Sequence, residues 1–329
     1  MSFLEKIRER GKGGPVVRAA ILGTGPLAER LIAGYKQCEG VELMANQPIE
    51  RADAVLGTPG LQSVEIVAPP AERVRIAAKC LSAGLFTSID PMPDPQAIEY
   101  LRALAGKQHC SLRFRLYPLY YPPYREVKRL VDEDHLSRPV CLKLLVRRGK
   151  GTEMTEGLDP LQWILEHELG YLALSGWLMG DVRNVYARQA KRDGTGAPGS
   201  TVIMWKYADH HQFGYLQLDF CPGLHVRTFT DPVHRVLELT LLGGVIMVTR
   251  GEGQLLRMPA VIVRGRSTTT AFELVPDDWR EVYTSLARET YEHLVKNRPI
   301  AGTAEVTDSS LRIALAAMKS REHGEEVLC

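Results

Sequence analysis

The chain has 329 residues, the length of about two domains, and its 45% hydrophobic and 24% charged residues are ordinary for a globular protein. Gly 29 and Pro 20 are too few for a low-complexity chain, and no apolar run reaches the roughly 18 residues that span a bilayer, which excludes a membrane protein. Lys+Arg 41 against Asp+Glu 39 leaves +2, which excludes the overall basic footprint of a nucleic-acid binder.

The first 14 residues are charged and lack the apolar core of a signal peptide. The cysteines, Cys38, Cys80, Cys110, Cys141, Cys221 and Cys329, lie far apart with no zinc-ligand spacing. They read as reduced thiols in a cytoplasm, with no metal. His210-His211 falls in a predicted turn without Cys or carboxylate partners at ligand spacing.

Residues 16–22 form an apolar run of the kind a strand buried on both faces shows. The run leads into Gly23-Thr24-Gly25-Pro26-Leu27-Ala28 and a helix over 27–38 with Leu27, Leu31, Ile32 and Tyr35 on one face. Strands follow at 41–45 and 64–68, the second ended by Pro69-Pro70. A helix over 71–83 is capped by Gly84. Then come a strand at 86–89, a helix over 96–107 and a strand at 110–114. This alternation predicts a parallel sheet with helices on both faces. The 18 residues from Asn46 to Ser63 leave little room for a helix and a further strand, so this edge of the sheet is expected to be trimmed.

The second half differs. A strand at 141–147 precedes a long apolar helix over 160–179. Runs rich in β-formers follow at 182–189, 201–207, 214–220, 235–242, 245–250 and 260–264, separated by turn signals such as Asp193-Gly194-Thr195-Gly196 and Gly243-Gly244. They predict a large, mostly antiparallel sheet, with helices over 278–296 and 307–321 at the end. The fold class is α/β: a Rossmann domain over 1–119 and an α+β domain over 120–329 with an open sheet. The helices 160–179 and 278–296 can cover one face of that sheet. Val202, Met204, Leu216 and Leu218 are read on the other, which predicts a homo-oligomer.

Gly23 permits a tight turn, Gly25 a close backbone approach to a pyrophosphate, and Ala28 close helix–strand packing. The helix N-terminus behind them offers free N–H groups to phosphates. Gly23, Thr24, Gly25, Pro26 and Leu27 are therefore candidate cofactor-binding residues. The same loop is also compatible with a turn that holds no ligand. The acidic residue expected about 20 positions on is absent. Asn46-Gln47 stands there, Arg51 could assist a phosphate, and NAD and NADP both stay open.

The order of these features resembles the glucose–fructose oxidoreductase / inositol dehydrogenase family, often called Gfo/Idh/MocA. The resemblance runs through Ala20–Gly25, Val41–Ala45, Val64–Pro70, Ala83-Gly84, Arg113–Pro118, Gly176–Gly180 and the C-terminal segments 291–299 and 314–320, nearly the whole chain. It implies an NAD(P)-dependent oxidoreductase of sugars, polyols and related compounds, with a Rossmann domain and a substrate domain. With Asn46, which could hydrogen-bond a ribose from its place after the second strand, Ala68 and Pro69 complete the candidate cofactor contacts. Two departures stand out. Where the family has Glu-Lys-Pro, this chain reads Asp90-Pro91-Met92, with no amine. Where the family's helix carries Gly-x-His-x-x-Asp, the ungapped positions of His and Asp hold Gly170 and Ala173.

A carbonyl–alcohol hydride transfer needs a proton donor or acceptor at the substrate oxygen. On the predicted helix, His167 and Tyr171 stand at i, i+4 on one face. An unperturbed imidazole changes charge near neutral pH, which makes His167 the natural acid/base candidate. Both are candidate catalytic residues, with Asp90 next in line, although a packed histidine explains His167 as well. Glu166 and Glu168 fall on other faces and read as solvated or salt-bridged. Tyr117, Tyr120, Tyr121 and Tyr124 lie on a proline-stiffened segment and either line a pocket or pack a helix start. Tyr117 and Arg113 are the candidate substrate contacts, with Arg113 and Arg115 equally compatible with a surface role. The leading expectation is an NAD(P)-dependent oxidoreductase of a small polar substrate. The alternative is a non-redox member that binds a nucleotide or metabolite, or catalyses another reaction, without the usual Lys and His/Asp pair.

Overall fold

The structure is a computed structural model that describes residues 14–149, 160–190, 199–221, 233–251 and 259–329, apart from the side chains of 160, 166, 167, 250 and 251. The turn signal at 193–196 lies outside the described residues. The chain divides into two compact units, Met1–Arg115 with Arg280–Ala304, and Leu116–Trp279 with Glu305–Cys329. The first boundary thus falls at Arg115 rather than after residue 119, and a late segment returns to the first unit.

In the first unit, β1 (Val17–Leu22), β2 (Val41–Gln47), β3 (Ser63–Ile66), β4 (Phe86–Ile89) and β5 (Leu112–Phe114) form a parallel sheet in the order β2-β1-β3-β4-β5. Every residue of β3 and β4 is buried, as is all of β1 except Arg18. Such strands carry apolar residues on both faces because both faces are covered. The helices are α1 (Pro26–Gln37), α2 (Ala52–Leu56), α3 (Pro70–Ser82) and α4 (Pro95–Lys107). Asp94 caps α4 by accepting from the Gln96 and Ala97 amides at 2.9 and 3.2 Å. The edge beyond β2 is trimmed: only a short 3-10 turn and the five-residue α2 separate β2 from β3.

The second unit holds α5 (Pro122–Asp132), β6 (Pro139–Arg148), α6 (Pro160–His167), α7 (Leu169–Met179), β7 (Val182–Gln189), β8 (Thr201–Tyr207), β9 (Phe213–Phe220), β10 (Val233–Leu241), β11 (Gly244–Gly251), β12 (Val261–Arg264) and β13 (Thr269–Phe272). The next helix, α8 (Glu281–Lys296), lies in the first unit against α1. The sequence reading grouped this helix with the second unit, because periodicity marks an apolar face without naming what that face meets. All but the first residue of α9 (Ala304–His323), and β14 (Val327–Leu328), close the second unit. Its sheet runs β13-β12-β11-β10-β6-β9-β8-β7-β14, antiparallel except for the parallel pair β6–β9.

One face of this sheet is buried and the other half-exposed. Leu142, Leu144 and Val146 of β6 and Val233, Leu237 and Leu239 of β10 point to the buried face, against which α7 packs. The register corrects one expectation. Leu216 and Leu218 pair with Ile203 and Thr201 and lie on the buried face, whereas Val202 and Met204 oppose Gln217 and Tyr215 on the open one. A second correction concerns the predicted helix over 160–179. It breaks at Glu168, whose φ of −124° and ψ of 21° leave the helical region. His167 ends α6 and Tyr171 sits in the first turn of α7, so they do not share the face of one continuous helix.

Candidate functional site

The first candidate site lies where β1 and β3 end. The chain leaves β1 towards β2 on one side and later returns to β3 on the other, the switch point at which open α/β sheets bind ligands. Gly23 has φ +137°, and a Cβ on it would stand 2.1 Å from the Val67 carbonyl oxygen. No other residue fits this turn, which Gly23 N–H fixes by donating to Gln47 O at 2.8 Å. Gly25 has φ +91°, and a Cβ on it would meet nothing within 4 Å, so the space above it is open. It caps α1 without any side-chain hydrogen bond, and Pro26 follows at the first turn. Thr24, Gly25 and Pro26 are exposed and Leu27 is half-buried. The first-turn amides of α1 have no acceptor within the helix, and they face that open space as a ready anion cradle.

Around this lip, Ala68 is buried and Pro69 exposed at the exit of β3. Arg73 on α3 braces the neighbouring exits by donating to Ala68 O at 3.3 Å and Pro91 O at 2.7 Å. Sequence reading missed Arg73, whose helical position carries no distinguishing signal. Asn46 is exposed at the end of β2, in register with Ile21, and offers an amide where a carboxylate is usual.

Beneath the lip is a buried ion cluster. Glu65 on β3 accepts from Arg113 and, at 2.8 Å, from Arg115, and Tyr35 OH donates to it at 2.5 Å. Arg113 also donates to Ser88 Oγ at 3.0 Å and Leu286 O at 2.9 Å, and lies 3.5 Å from Glu289. Arg115 pairs with Asp90 through two contacts of 2.9 Å. Burial alone would raise the Glu65 carboxyl, but Arg113, Arg115 and the Tyr35 hydrogen bond outweigh it and hold the group below the usual range. Arg113, expected to touch substrate, is fully buried in this cluster and reads as structural. The Asp90 carboxylate is spanned by a guanidinium, which makes it a poor proton shuttle.

A second cluster lies within the second unit. Tyr171 on α7 is 1% exposed, and its hydroxyl is buried without a hydrogen-bond partner. Burial pushes the phenol well above its ordinary value, with Arg235 and Arg148 opposing only in part. Arg235 on β10 lies 5.8 Å from the Tyr171 ring centroid and 4.6 Å from that of Trp279. Arg148 on β6 lies 4.1 Å over Trp163 and donates to Glu168 at 2.9 Å. Tyr121 packs on Tyr124 at 5.1 Å and Trp279 at 4.9 Å, and donates to Asp277 O at 3.0 Å. Tyr117 is half-buried in the 3-10 turn Tyr117–Tyr120. The side chains of Glu166 and His167 lie outside the described residues.

The family's acid/base position is closed here. A Cβ on Gly170 would stand 2.4 Å from Pro118 Cδ, so no histidine fits, and Ala173 is buried. Arg148 and Arg235 were missed by sequence reading, although a signal existed. Both stand at apolar-parity positions, in Leu142-x-Leu144-x-Val146-x-Arg148 and Val233-x-Arg235-x-Leu237. Among the described residues, no group of three or more His, Cys, Asp or Glu could hold a metal ion, and no helix is long and apolar enough to cross a membrane.

No family model and no curated protein matches the chain. Solved structures do. An oxidoreductase from Agrobacterium radiobacter in complex with NAD+, L-tartaric acid and magnesium is 13% identical, with TM-score 0.75 over 95% of this chain and 98% of that one. Scyllo-inositol dehydrogenase from Lactobacillus casei with bound NAD(H) and scyllo-inositol is 15% identical, with TM-score 0.74 over 95% and 99%. A myo-inositol dehydrogenase from Corynebacterium glutamicum is 12% identical, with TM-score 0.75 over 95% and 98%. The chain has the fold of these dehydrogenases.

Proposed function

We propose that the chain is an NAD(P)-dependent oxidoreductase that holds the nucleotide on its first unit and a small polar substrate on its second. The observation that carries this is the open, uncapped N-terminus of α1 behind Gly23 and Gly25, at the switch point of the sheet. Its residues fit a dinucleotide: the backbone of Thr24, Gly25, Pro26 and Leu27 would take the pyrophosphate, Asn46 a ribose, and Ala68 and Pro69 the nicotinamide side. The structural relatives solved with NAD+ or NAD(H) support the same reading. When bound, the nicotinamide supplies or accepts the hydride. The chain's own residues bind, orient and handle the proton.

Titration with NADH and NADPH, read by nicotinamide fluorescence, tests this directly. Gly25→Val forces a side chain into a φ of +91°, a strain of about 1–3 kcal/mol, and fills the space above the cradle. Nucleotide affinity is expected to fall while the fold survives. Unchanged affinity in a folded variant sinks the assignment.

The non-redox reading retains one specific support. Gly170 has no room for a side chain and Pro91 replaces the family's lysine, so the familiar proton-transfer groups are absent from both positions. Substrate turnover without any change in nicotinamide absorbance would select it. The second unit also carries Leu145, Met204, Tyr215 and Met247 on its exposed or half-buried sheet face, which supports a homo-oligomer joined there. A monomer in light scattering at micromolar concentration removes that part.

A further inference from the structure

The end of β2 decides which ribose the nucleotide site takes. In a Rossmann fold a carboxylate at this point accepts from the ribose hydroxyls and repels a phosphate placed on them, whereas an arginine nearby accommodates that phosphate. This chain ends the strand on Asn46 and Gln47, in register with Ile21 and Leu22. Gln47 O accepts from Gly23 N–H at 2.8 Å, so the strand end lies beside the glycine turn. Both residues are neutral.

The charges around them favour the same ligand. Pro48 leads into the 3-10 turn Ile49–Arg51, which Arg51 N–H closes by donating to Pro48 O at 3.0 Å. Such a turn rises only about 2 Å per residue, so Arg51 stays at the exit of β2. Ala52 and Val55 of α2 are buried and fix the turn to the body of the unit. Arg51 is exposed, and its side chain makes no hydrogen bond or ion pair among the described residues. Two nearby carboxylates are already engaged: Glu42, towards the start of β2, lies 3.5 Å from Arg18, and Asp53 lies 2.8 Å from Lys79. Glu50 is exposed, and the three residues per turn of a 3-10 helix set it roughly 120° around the axis from Arg51.

We infer that the chain prefers NADPH to NADH, with Arg51 pairing the 2′-phosphate of the adenosine ribose and Asn46 admitting it. A phosphomonoester carries about −1.5 to −2 charges at neutral pH. A carboxylate at the strand end would oppose that charge, and a guanidinium meets it with a forked N–H edge. The inference deepens the oxidoreductase reading and rests on it for the nucleotide site, but the choice between two nucleotides is separate from whether either binds.

The test is fluorescence titration of the full chain with NADPH and NADH, joined by calorimetric titration with adenosine 2′,5′-bisphosphate and 5′-AMP. NADPH is expected to bind about tenfold or more tightly than NADH, and the bisphosphate to exceed 5′-AMP in the same way. Rising salt should erode the preference, because an exposed ion pair is screened. Arg51→Ala should lower NADPH affinity about tenfold and NADH affinity much less. Arg51→Lys should keep most of the preference, and Asn46→Asp should lower NADPH affinity selectively. Both positions are exposed, so each variant should melt near wild type. Equal binding of the two nucleotides, a preference for NADH, a preference indifferent to salt, or an Arg51→Ala variant that weakens both nucleotides alike overturns the inference and leaves the oxidoreductase reading standing. Binding of neither nucleotide removes both.

Discussion

Each unit buries a pair of arginines, and the two pairs are solved differently. In the first, Arg113 and Arg115 meet carboxylates: Glu65 between them, Asp90 and Glu289 at the sides, with Ser88 and backbone carbonyls completing the set. Tyr35 OH joins that set by donating to Glu65. In the second, Arg148 and Arg235 lie over the rings of Trp163 and Trp279, Arg148 also pairs with the Glu168 carboxylate, and the neighbouring Tyr171 hydroxyl has no hydrogen-bond partner among the described residues. Burial of an arginine therefore says little about its use. A guanidinium whose edge is filled by carboxylates is a strut that ties β3, β5 and α8 together. In the second unit the guanidinium groups lie against indole rings, with Glu168 also paired to Arg148.

The largest expected effect follows from breaking the strut. Glu65→Gln leaves two buried guanidinium groups without their shared anion, which should destabilise the first unit by about 3–5 kcal/mol in urea or thermal denaturation. That is a large share of the roughly 5–15 kcal/mol that holds a domain folded. The pH dependence has a definite sign. The folded Glu65 pKa is depressed, so its contribution is fully present above the ordinary carboxylate value of about 4.3 and is lost as pH falls through the lower folded value. Wild-type stability should therefore decline on the acid side, and Glu65→Gln should flatten that decline. A variant as stable as wild type at neutral pH would mean the cluster contributes nothing net.

The chemistry of the second unit gives the next effect. With Gly170 closed by Pro118, the proposed proton-transfer group is His167, just before the start of α7. Losing a general acid or base lowers rate by about 10²–10⁴. Once a substrate is in hand, His167→Ala is expected to reduce turnover within that range, with nucleotide affinity little changed. Wild-type turnover in the variant makes His167 a packing residue.

What was legible in the sequence depended on which physical signal a residue leaves. The buried strands β1, β3 and β4 announce themselves as unbroken apolar runs, and the trimmed edge after β2 follows from counting 18 residues. The glycine loop was legible because Gly23 and Gly25 do what other residues cannot. The break at Glu168 was not, since α6 and α7 are both apolar and the pattern runs through it. Leu216 and Leu218 were placed on the wrong face because both faces of β9 and β8 carry large apolar side chains, Tyr215 and Met204 among them, so alternation alone could not fix the register. Arg113 looked like a cleft residue because its partners, Glu65 and Glu289, are 48 and 176 residues away. Pairings that distant leave no local trace.

The smallest effect sharpens the comparison most, because it makes one substitution in both clusters. Tyr35→Phe removes a hydroxyl that donates to Glu65 at 2.5 Å and lies 3.1 Å from Thr290 Oγ1. A hydrogen bond to a charged group is worth about 1.5–3 kcal/mol, and the carboxylate would be left underserved, so the variant should be less stable by about that amount. Tyr171→Phe removes a hydroxyl of the same chemistry and comparable burial, 1% exposed in each case, but with no partner to lose. Its desolvation cost disappears with it, and stability should rise by up to about 1 kcal/mol. The two substitutions delete one oxygen atom each, so transfer area and packing nearly cancel between them. The difference in sign then reports only on whether the fold itself uses the hydroxyl. Thermal melts resolving the two units would check it. If both variants lose stability, Tyr171 has a partner in the ligand-free protein, and the second cluster is a strut like the first.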